Sequence, residues 1–352
     1  MPVTVRSFAK INLGLRIGPL RADGFHELRT VYQTIALHDI IRVQVVRGTG
    51  IEIRCEDPRV PKDESNTCYR IVERVMGALK ARGRVVIEIE KRLPVQGGLG
   101  GASGNAVAAL LALERALKKQ LPGPEKLRIA AEVGSDLPLF MVGGTVLGVG
   151  HGEEVYPLPD LGVVPCVVAI PEIGVSTPKA FADWDAMVAG TAELCSTGQP
   201  GAAVPTQATQ ASKLTPAAPS DRMAEFGRAV SAWLSNQSQS KSKRGKALSG
   251  VPVSRGRGRA ETPLLDLVRT GIENDFEQVV FPQYPELREV KRVLERAGAL
   301  YASLSGSGSA IYGLFASRAA AEKSAAGLRR DGIPATATTT LTRSRYWKKI
   351  FD

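Results

Sequence analysis

The sequence predicts an α+β protein of two domains, an N-terminal mixed α/β domain over 1–160 and a C-terminal ferredoxin-like domain over 161–352. Three observations predict it. The chain has 352 residues, a length that suggests two domains. Its first 60 residues read as strands and turns, and helical patterns join them only afterwards. From residue 163 the order of patterns is β-α-β-β-α-β, that of a ferredoxin-like unit.

In the first domain, TVRSFAKINLGLRI alternates loosely, and YQTIALHDIIRVQVV and IEIRC are β-rich around an RGTG turn. Residues 66–82 carry helical periodicity, with Ile71, Val72, Val75, Met76 and Leu79 on one face. RVVIEIEKRL alternates cleanly and runs into a glycine-rich stretch. The helix after it places Ala106, Leu110, Leu113 and Leu117 at spacings suited to a core. A helix over 125–134, the loop GSDLPLF and the apolar run MVGGTVLGV follow. In the second domain GVVPCVVAI, ALYASLS, SAIYGLFA and ATATTTL read as strands. YPELREVKRVLERAG and RAAAEKSAAGLRRDG read as the helices between them. Residues 172–282 interrupt the series, and about 190–260 read as a mostly flexible insertion with a short helix near Arg222–Leu234. Ala, Ser, Thr, Gln, Pro and Gly dominate that insertion, a composition that buries too little apolar area to offset ordering entropy.

Composition narrows the function classes. The net charge is +11, but residues 190–260 hold ten Lys/Arg against three acids and so carry +7 of it. The rest is only mildly basic, and the chain is expected to need no nucleic-acid partner. No apolar run approaches the ~20 residues of a membrane span, and no signal peptide is visible. Cys55, Cys68, Cys166 and Cys195 are scattered without a CxxC pair, which suits reduced thiols of a cytoplasmic protein. Three histidines (His26, His38, His151) argue against a histidine-rich metal site.

The most informative stretch runs from Pro94 to Asn105. Five glycines (Gly97, Gly98, Gly100, Gly101, Gly104) lead straight into a helix. Glycine permits positive φ and lets amide N–H groups approach a ligand, and a helix start adds unpaired N–H groups and a positive dipole end. Together these suit a phosphate. The loop lacks the Gly-Lys-Ser/Thr ending of a Walker A motif, and no acid follows at the spacing of a dinucleotide fingerprint. The bland alternative is a turn that merely starts a helix. Three further segments stand out. Lys10 and Asn12 share one strand face in FAKIN. RADGFHEL pairs an aromatic residue with His26 after a turn. Asp136 is a lone acid in GSDLPLF, where a helix cap would be the usual explanation.

In this order, FAKINL, RADGFHEL, PVQGGLGGASGNA, GSDLPLF, GVSTPKAF and LSGSGSAIYG resemble the GHMP small-molecule kinase superfamily. RADGFHEL, DESN and NDFE resemble its branch acting on a cytidine-diphosphate-linked methylerythritol in non-mevalonate isoprenoid synthesis. The resemblance covers 5–185 and 263–345. It implies the two-domain GHMP fold, ATP and Mg²⁺, transfer of the γ-phosphate to a substrate hydroxyl, and a monomer or homodimer. It makes Asp136 the base and Lys10 its charge partner. Asn66, Pro94, Gly97, Gly98, Leu99, Gly100, Gly101, Ala102, Ser103 and Gly104 become the ATP side, with Ser103 a phosphate or Mg²⁺ ligand. Asn12, Phe25, His26 and Phe181 become the substrate side, the last three around cytosine. The glycines of 305–309 either pack near the centre or touch ligand. Two departures matter: Phe25 stands where the family usually has Tyr, and Gly104 where it usually has a second Ser. A GHMP kinase for homoserine or mevalonate, and an RNA-binding protein acting through the basic insertion, are the competing readings.

Overall fold

Two sheets organise the chain in the computed structural model, which describes residues 1–95, 97–196, 223–228, 230 and 272–351. The first sheet grows on one long hairpin, β1 (Val3–Leu20) and β2 (His26–Val46), with the RADGF segment as its tip. The other edge of β2 is shared. Its C-terminal half pairs antiparallel with β4 (Arg84–Glu90), which carries β3 (Ile51–Cys55) in parallel. Its N-terminal half pairs with β5 (Thr145–Val149), followed by β6 (Glu154–Pro157). The loose alternation of β1 has a packing cause: nearly every residue from Ser7 to Ile17 is buried, so both faces are covered.

Helices α1 (Thr67–Ala78), α2 (Gly101–Leu117), α3 (Gly123–Val133) and α4 (Leu137–Val142) pack on this sheet. Asn66 caps α1, its side-chain oxygen accepting from Cys68 N. Helix α2 is buried at every residue from Gly104 to Glu114, more than the one-faced stripe expected of it. It lies between α1 and the sheet, so it needs apolar residues all round.

The second sheet has the order β10-β7-β9-β8, all antiparallel, from β7 (Pro165–Ala169), β8 (Tyr301–Leu304), β9 (Ile311–Leu314) and β10 (Ala335–Thr339). In chain order this is fourth-first-third-second, the ferredoxin-like arrangement expected from the sequence. Alternation along β7 splits its faces. Val167 and Ala169 meet the helices above, including Leu287, Val290, Leu294, Ala321, Ala325 and Leu328. Cys166 and Val168 face Ile11, Leu13, Val31 and Ile35 of the first hairpin, so the two sheets share a core.

Helix α5 (Thr177–Ser196) extends past residue 190. A helical segment, α6 (223–228), follows among the described residues, where the sequence suggested a short embedded helix. It is no free insert: Phe226 and Val230 join the inter-sheet core beside Ile272, and Arg29 Nη1 donates to Met223 O at 2.8 Å. Apolar residues spaced three and four apart made that burial possible within a polar, low-complexity context. The remaining residues of the expected insertion lie outside the described ones. Helices α7 (Glu277–Gln283), α8 (Pro285–Arg296) and α9 (Arg318–Arg330) cover the second sheet. The terminal helix α10 (Arg343–Lys349) returns to the first, where Tyr346 OH donates to Phe140 O at 2.6 Å. Among the described residues no helix is long and apolar enough to cross a membrane.

Candidate active site

A cavity of about 340 Å³ lies where α1, the end of β4 and the start of α2 meet. Asn66, Pro94, Gly97, Gly98, Leu99, Gly100, Gly101, Ala102 and Ser103 line it, nine of the ten residues expected on the nucleotide side. Gly98 and Gly100 have φ of +74° and +68°. Gly100 is the N-cap of α2 without a side-chain cap, so the first N–H groups of that helix stay available to an anion. Gly104 is the exception. It sits one turn into α2 against β1, where a Cβ would come within 2.9 Å of Phe8 O and Ser7 Oγ. Its missing side chain serves helix–strand approach, and it is not among the residues lining the cavity.

The second glycine segment packs directly on the first. Ser305 Oγ donates to Gly98 O at 2.9 Å, Ala310 N donates to Gly97 O at 3.2 Å, and a Cβ on Gly98 would overlap Ser305 O. Ser307 Oγ and Thr177 Oγ1 are 2.7 Å apart, which ties this segment to the start of α5.

Beside the loop lies a charged pair. Lys10 Nζ is 3.6 Å from Asp136 Oδ2, with the lysine side chain 4% exposed and the aspartate 32%. Asp136 occupies the N-cap position of α4 but makes no cap bond. Its Oδ1 instead accepts from Tyr32 OH at 3.0 Å. The cap explanation therefore gives way to a side chain turned toward β1 and β2. Lys10 N also donates to Leu99 O at 2.9 Å, so the strand carrying the lysine is fastened to the glycine loop. Burial pushes the Lys10 ammonium pKa below its ordinary value, and Asp136 pulls it partly back. Asn12 is 1% exposed; its Oδ1 accepts from Lys10 Nζ at 2.7 Å and its Nδ2 donates to Thr30 Oγ1 at 2.8 Å. In the structure Asn12 holds the lysine rather than facing outward as a substrate contact.

Farther along the hairpin, His26 and Phe181 stack with ring centroids 5.4 Å apart and planes 7° from parallel. His26 Nδ1 lies 2.9 Å from Gly18 O, and Nε2 lies 3.0 Å from Asp185 Oδ1. Phe25 points elsewhere: it is 61% exposed and leans on the His151 ring at 4.8 Å. Phe25 sits in the turn before β2 begins at His26, and its ring does not join the His26–Phe181 stack.

Two family descriptions match the chain: GHMP kinases N terminal domain over 66–144 and GHMP kinases C terminal over 261–333. The 4-diphosphocytidyl-2-C-methyl-D-erythritol kinase of Solibacter usitatus is 35% identical over 314 residues, covering 89% of this chain and 81% of the relative. That of Acaryochloris marina is 32% identical, covering 91% and 89%. The chain belongs to the 4-diphosphocytidyl-2-C-methyl-D-erythritol kinase family of GHMP kinases. A crystal structure of 4-(cytidine 5'-diphospho)-2C-methyl-D-erythritol kinase superposes with TM-score 0.66 at 28% identity, over 96% of this chain and 98% of that one. A homoserine kinase from Cytophaga hutchinsonii shares the fold, with TM-score 0.64 at 20% identity. The chain is thus an ATP-dependent small-molecule kinase.

Within this kinase, several site residues escaped sequence reasoning. Lys91 lines the cavity, its Nζ 3.3 Å from a Cβ placed on Gly101. Fully buried Asp39 holds it at 2.6 Å and also accepts from Arg92 N, Leu93 N and Asn105 Nδ2. An acid inside the apolar strand IALHDII was the available signal. Asn105 Oδ1 has no protein partner among the described residues. The NDFE segment is structural throughout. Asn274 Nδ2 donates to Leu304 O and Gly306 O, Asp275 binds Arg16 at 2.7 Å, and Phe276 packs edge-on against Phe181. Glu277 Oε1 accepts from Ser303 Oγ and Leu304 N. NDFE thereby fixes both the second glycine segment and the His26–Phe181 stack.

Proposed function

We propose that this kinase transfers the γ-phosphate of ATP to a hydroxyl of 4-diphosphocytidyl-2-C-methyl-D-erythritol in isoprenoid precursor synthesis, the activity carried by its relatives' names. One observation carries the mechanism: the Lys10–Asp136 pair at 3.6 Å, fastened to a glycine loop that starts a helix. Phosphoryl transfer asks a protein mainly for positioning and charge stabilisation. In this reading the N–H groups of Gly101–Ser103 and the dipole of α2 bind the phosphates. Asp136 accepts the proton of the attacking hydroxyl. Lys10 offsets the negative charge of Asp136 and of the attacking oxygen. Asn12 holds Lys10 in place. His26 and Phe181 offer an imidazole and an aromatic face to the cytosine.

Mg²⁺ is part of the reading. The loop offers one hydroxyl, Ser103, among the residues lining the cavity. Mg²⁺ commonly takes one or two protein ligands, substrate phosphates and water, and this donor set fits that habit. Bound on the triphosphate, the ion would neutralise charge that develops during transfer.

A coupled assay of ADP release tests the substrate. Turnover is expected with the cytidine-linked alcohol and not with homoserine or mevalonate, which present no base to His26 and Phe181. Comparable rates with either would reject the assignment.

A further inference from the structure

Tyr32 takes no part in the mechanism above, yet its placement is elaborate. It lies on β2 directly opposite Asn12 of β1, so Lys10, Asn12 and Tyr32 share one face of the hairpin. It is 3% exposed. Two glycines of the β5–β6 region, Gly148 and Gly152, leave room for it. A Cβ on Gly148 would come within 2.5 Å of its ring, and one on Gly152 would overlap its hydroxyl. A buried tyrosine hydroxyl needs a partner, and a backbone carbonyl would suffice. This one donates to Asp136 Oδ1 at 3.0 Å, while the other carboxylate oxygen faces Lys10 at 3.6 Å. The Lys10 ammonium also lies 5.6 Å from the centre of the Tyr32 ring. The two contacts address both carboxylate oxygens and so fix the plane of the group. We infer that Tyr32 is a positioning residue for phosphoryl transfer: its hydroxyl holds the Asp136 carboxylate in the orientation that receives the substrate proton.

This rests on Asp136 being the base. The groups facing the carboxylate are Lys10 from β1 and Tyr32 from β2, and Glu153, in the β5–β6 turn, acts on Tyr32. Burial, then the charge of Asp136, keeps the phenol protonated and therefore a donor. A donor to a carboxylate favours its charged form, so losing it makes the carboxylate easier to protonate.

Tyr32→Phe deletes one oxygen atom and keeps the ring. Steady-state rates are measured from about pH 5 to 9, the range in which a general base shows itself. We expect kcat to fall about tenfold, as for a lost hydrogen bond to a charged group. KM for both substrates should stay within about twofold of wild type, because the residue acts through the base and not on a ligand. The acid limb of the kcat profile should move to higher pH. Unchanged kcat with an unmoved limb overturns the inference, as does an effect confined to KM or to the melting temperature. Asp136→Asn separates the two readings. If it stays active, the base assignment falls and the inference with it. If it is inactive while Tyr32→Phe behaves as wild type, only the inference falls. Should Tyr32→Phe fail to fold, 3-fluorotyrosine at this position, a stronger donor of nearly the same shape, must move the acid limb down; an unmoved limb overturns the inference.

Discussion

The two proposed sides of the candidate site, for nucleotide and for acceptor, are built from different materials. The nucleotide side is mostly backbone. Glycines with positive φ, an uncapped helix start and a second glycine segment packed on the first define it. The acceptor side is mostly side chains: Lys10, Asn12, Tyr32, Asp136, His26 and Phe181, gathered from both strands of the hairpin and from two helix starts. A backbone site suits a ligand common to many kinases. A side-chain site is where the alcohol can be chosen. Substitutions on the acceptor side should therefore separate chemistry from binding, whereas those on the nucleotide side should damage both.

The sharpest contrast is expected at the charged pair. Asp136→Asn and Lys10→Ala should each lower kcat by at least about 10², the lower end for a lost acid–base or charge-stabilising group. Asp136 is a third exposed, so its variant should keep its fold and ATP affinity. Near wild-type turnover in either would dissolve the distinction between the two sides. On the nucleotide side, Gly100→Val should act doubly. The position has φ of +68°, and a Cβ there would lie 2.9 Å from Phe140 Cζ and 3.0 Å from Lys10 Cγ. Backbone strain of about 1–3 kcal/mol predicts a loss of roughly 10–10² in ATP affinity. Because Lys10 is touched, kcat should fall as well. Calorimetry showing wild-type ATP affinity would return this loop to a purely structural part.

A smaller effect is expected at the stack. His26→Ala should raise KM for the cytidine substrate by roughly three- to tenfold, the worth of one aromatic contact or hydrogen bond. KM for ATP should hardly move. A larger change for ATP would mean that the two pockets are exchanged.

The same contrast explains what the sequence disclosed. A backbone site is written in consecutive residues, so nine of the ten expected nucleotide-side residues line one cavity. Only Gly104 stands apart, because spacing along a helix does not say which face meets the sheet. The side-chain site depends on register. Tyr32 meets Asp136 across 104 residues, and Asp39 meets Lys91 across 52. The bulge between Asn12 and Gly14 sets which residues oppose each other. Neither pairing leaves a local pattern. Lys10 and Asp136 were named because the family motifs contain them, while adjacency in RADGFHEL says nothing of which way the Phe25 and His26 rings point. The ferredoxin-like sheet was legible since its strands and helices are distinct apolar and amphipathic runs in a recognisable β-α-β-β-α-β order. The helix around Phe226 was legible, but its place in the core was not, because the polar residues on either side read as a flexible insertion.

The smallest expected effect concerns Cys68, which lines the nucleotide cavity from the first turn of α1. Burial, then the nearby charge of Asp39, pushes its thiol pKa up to about 12. The reactive species is the thiolate, so at pH 8 only about one thiol in 10⁴ is poised to react. Cys68 is 1% exposed as well, so alkylation has to wait for α1 to open. Iodoacetamide should therefore leave Cys68 unmodified in the native kinase and modify it fully after denaturation, as read by peptide mass. If ATP binds against Asn66 and the start of α2 as proposed, it should slow the remaining reaction at Cys68 but not at Cys166, which is buried in the inter-sheet core. Rapid native alkylation of Cys68, unaffected by ATP, would show that the α1 wall opens freely and that the nucleotide side is less rigid than its backbone construction implies.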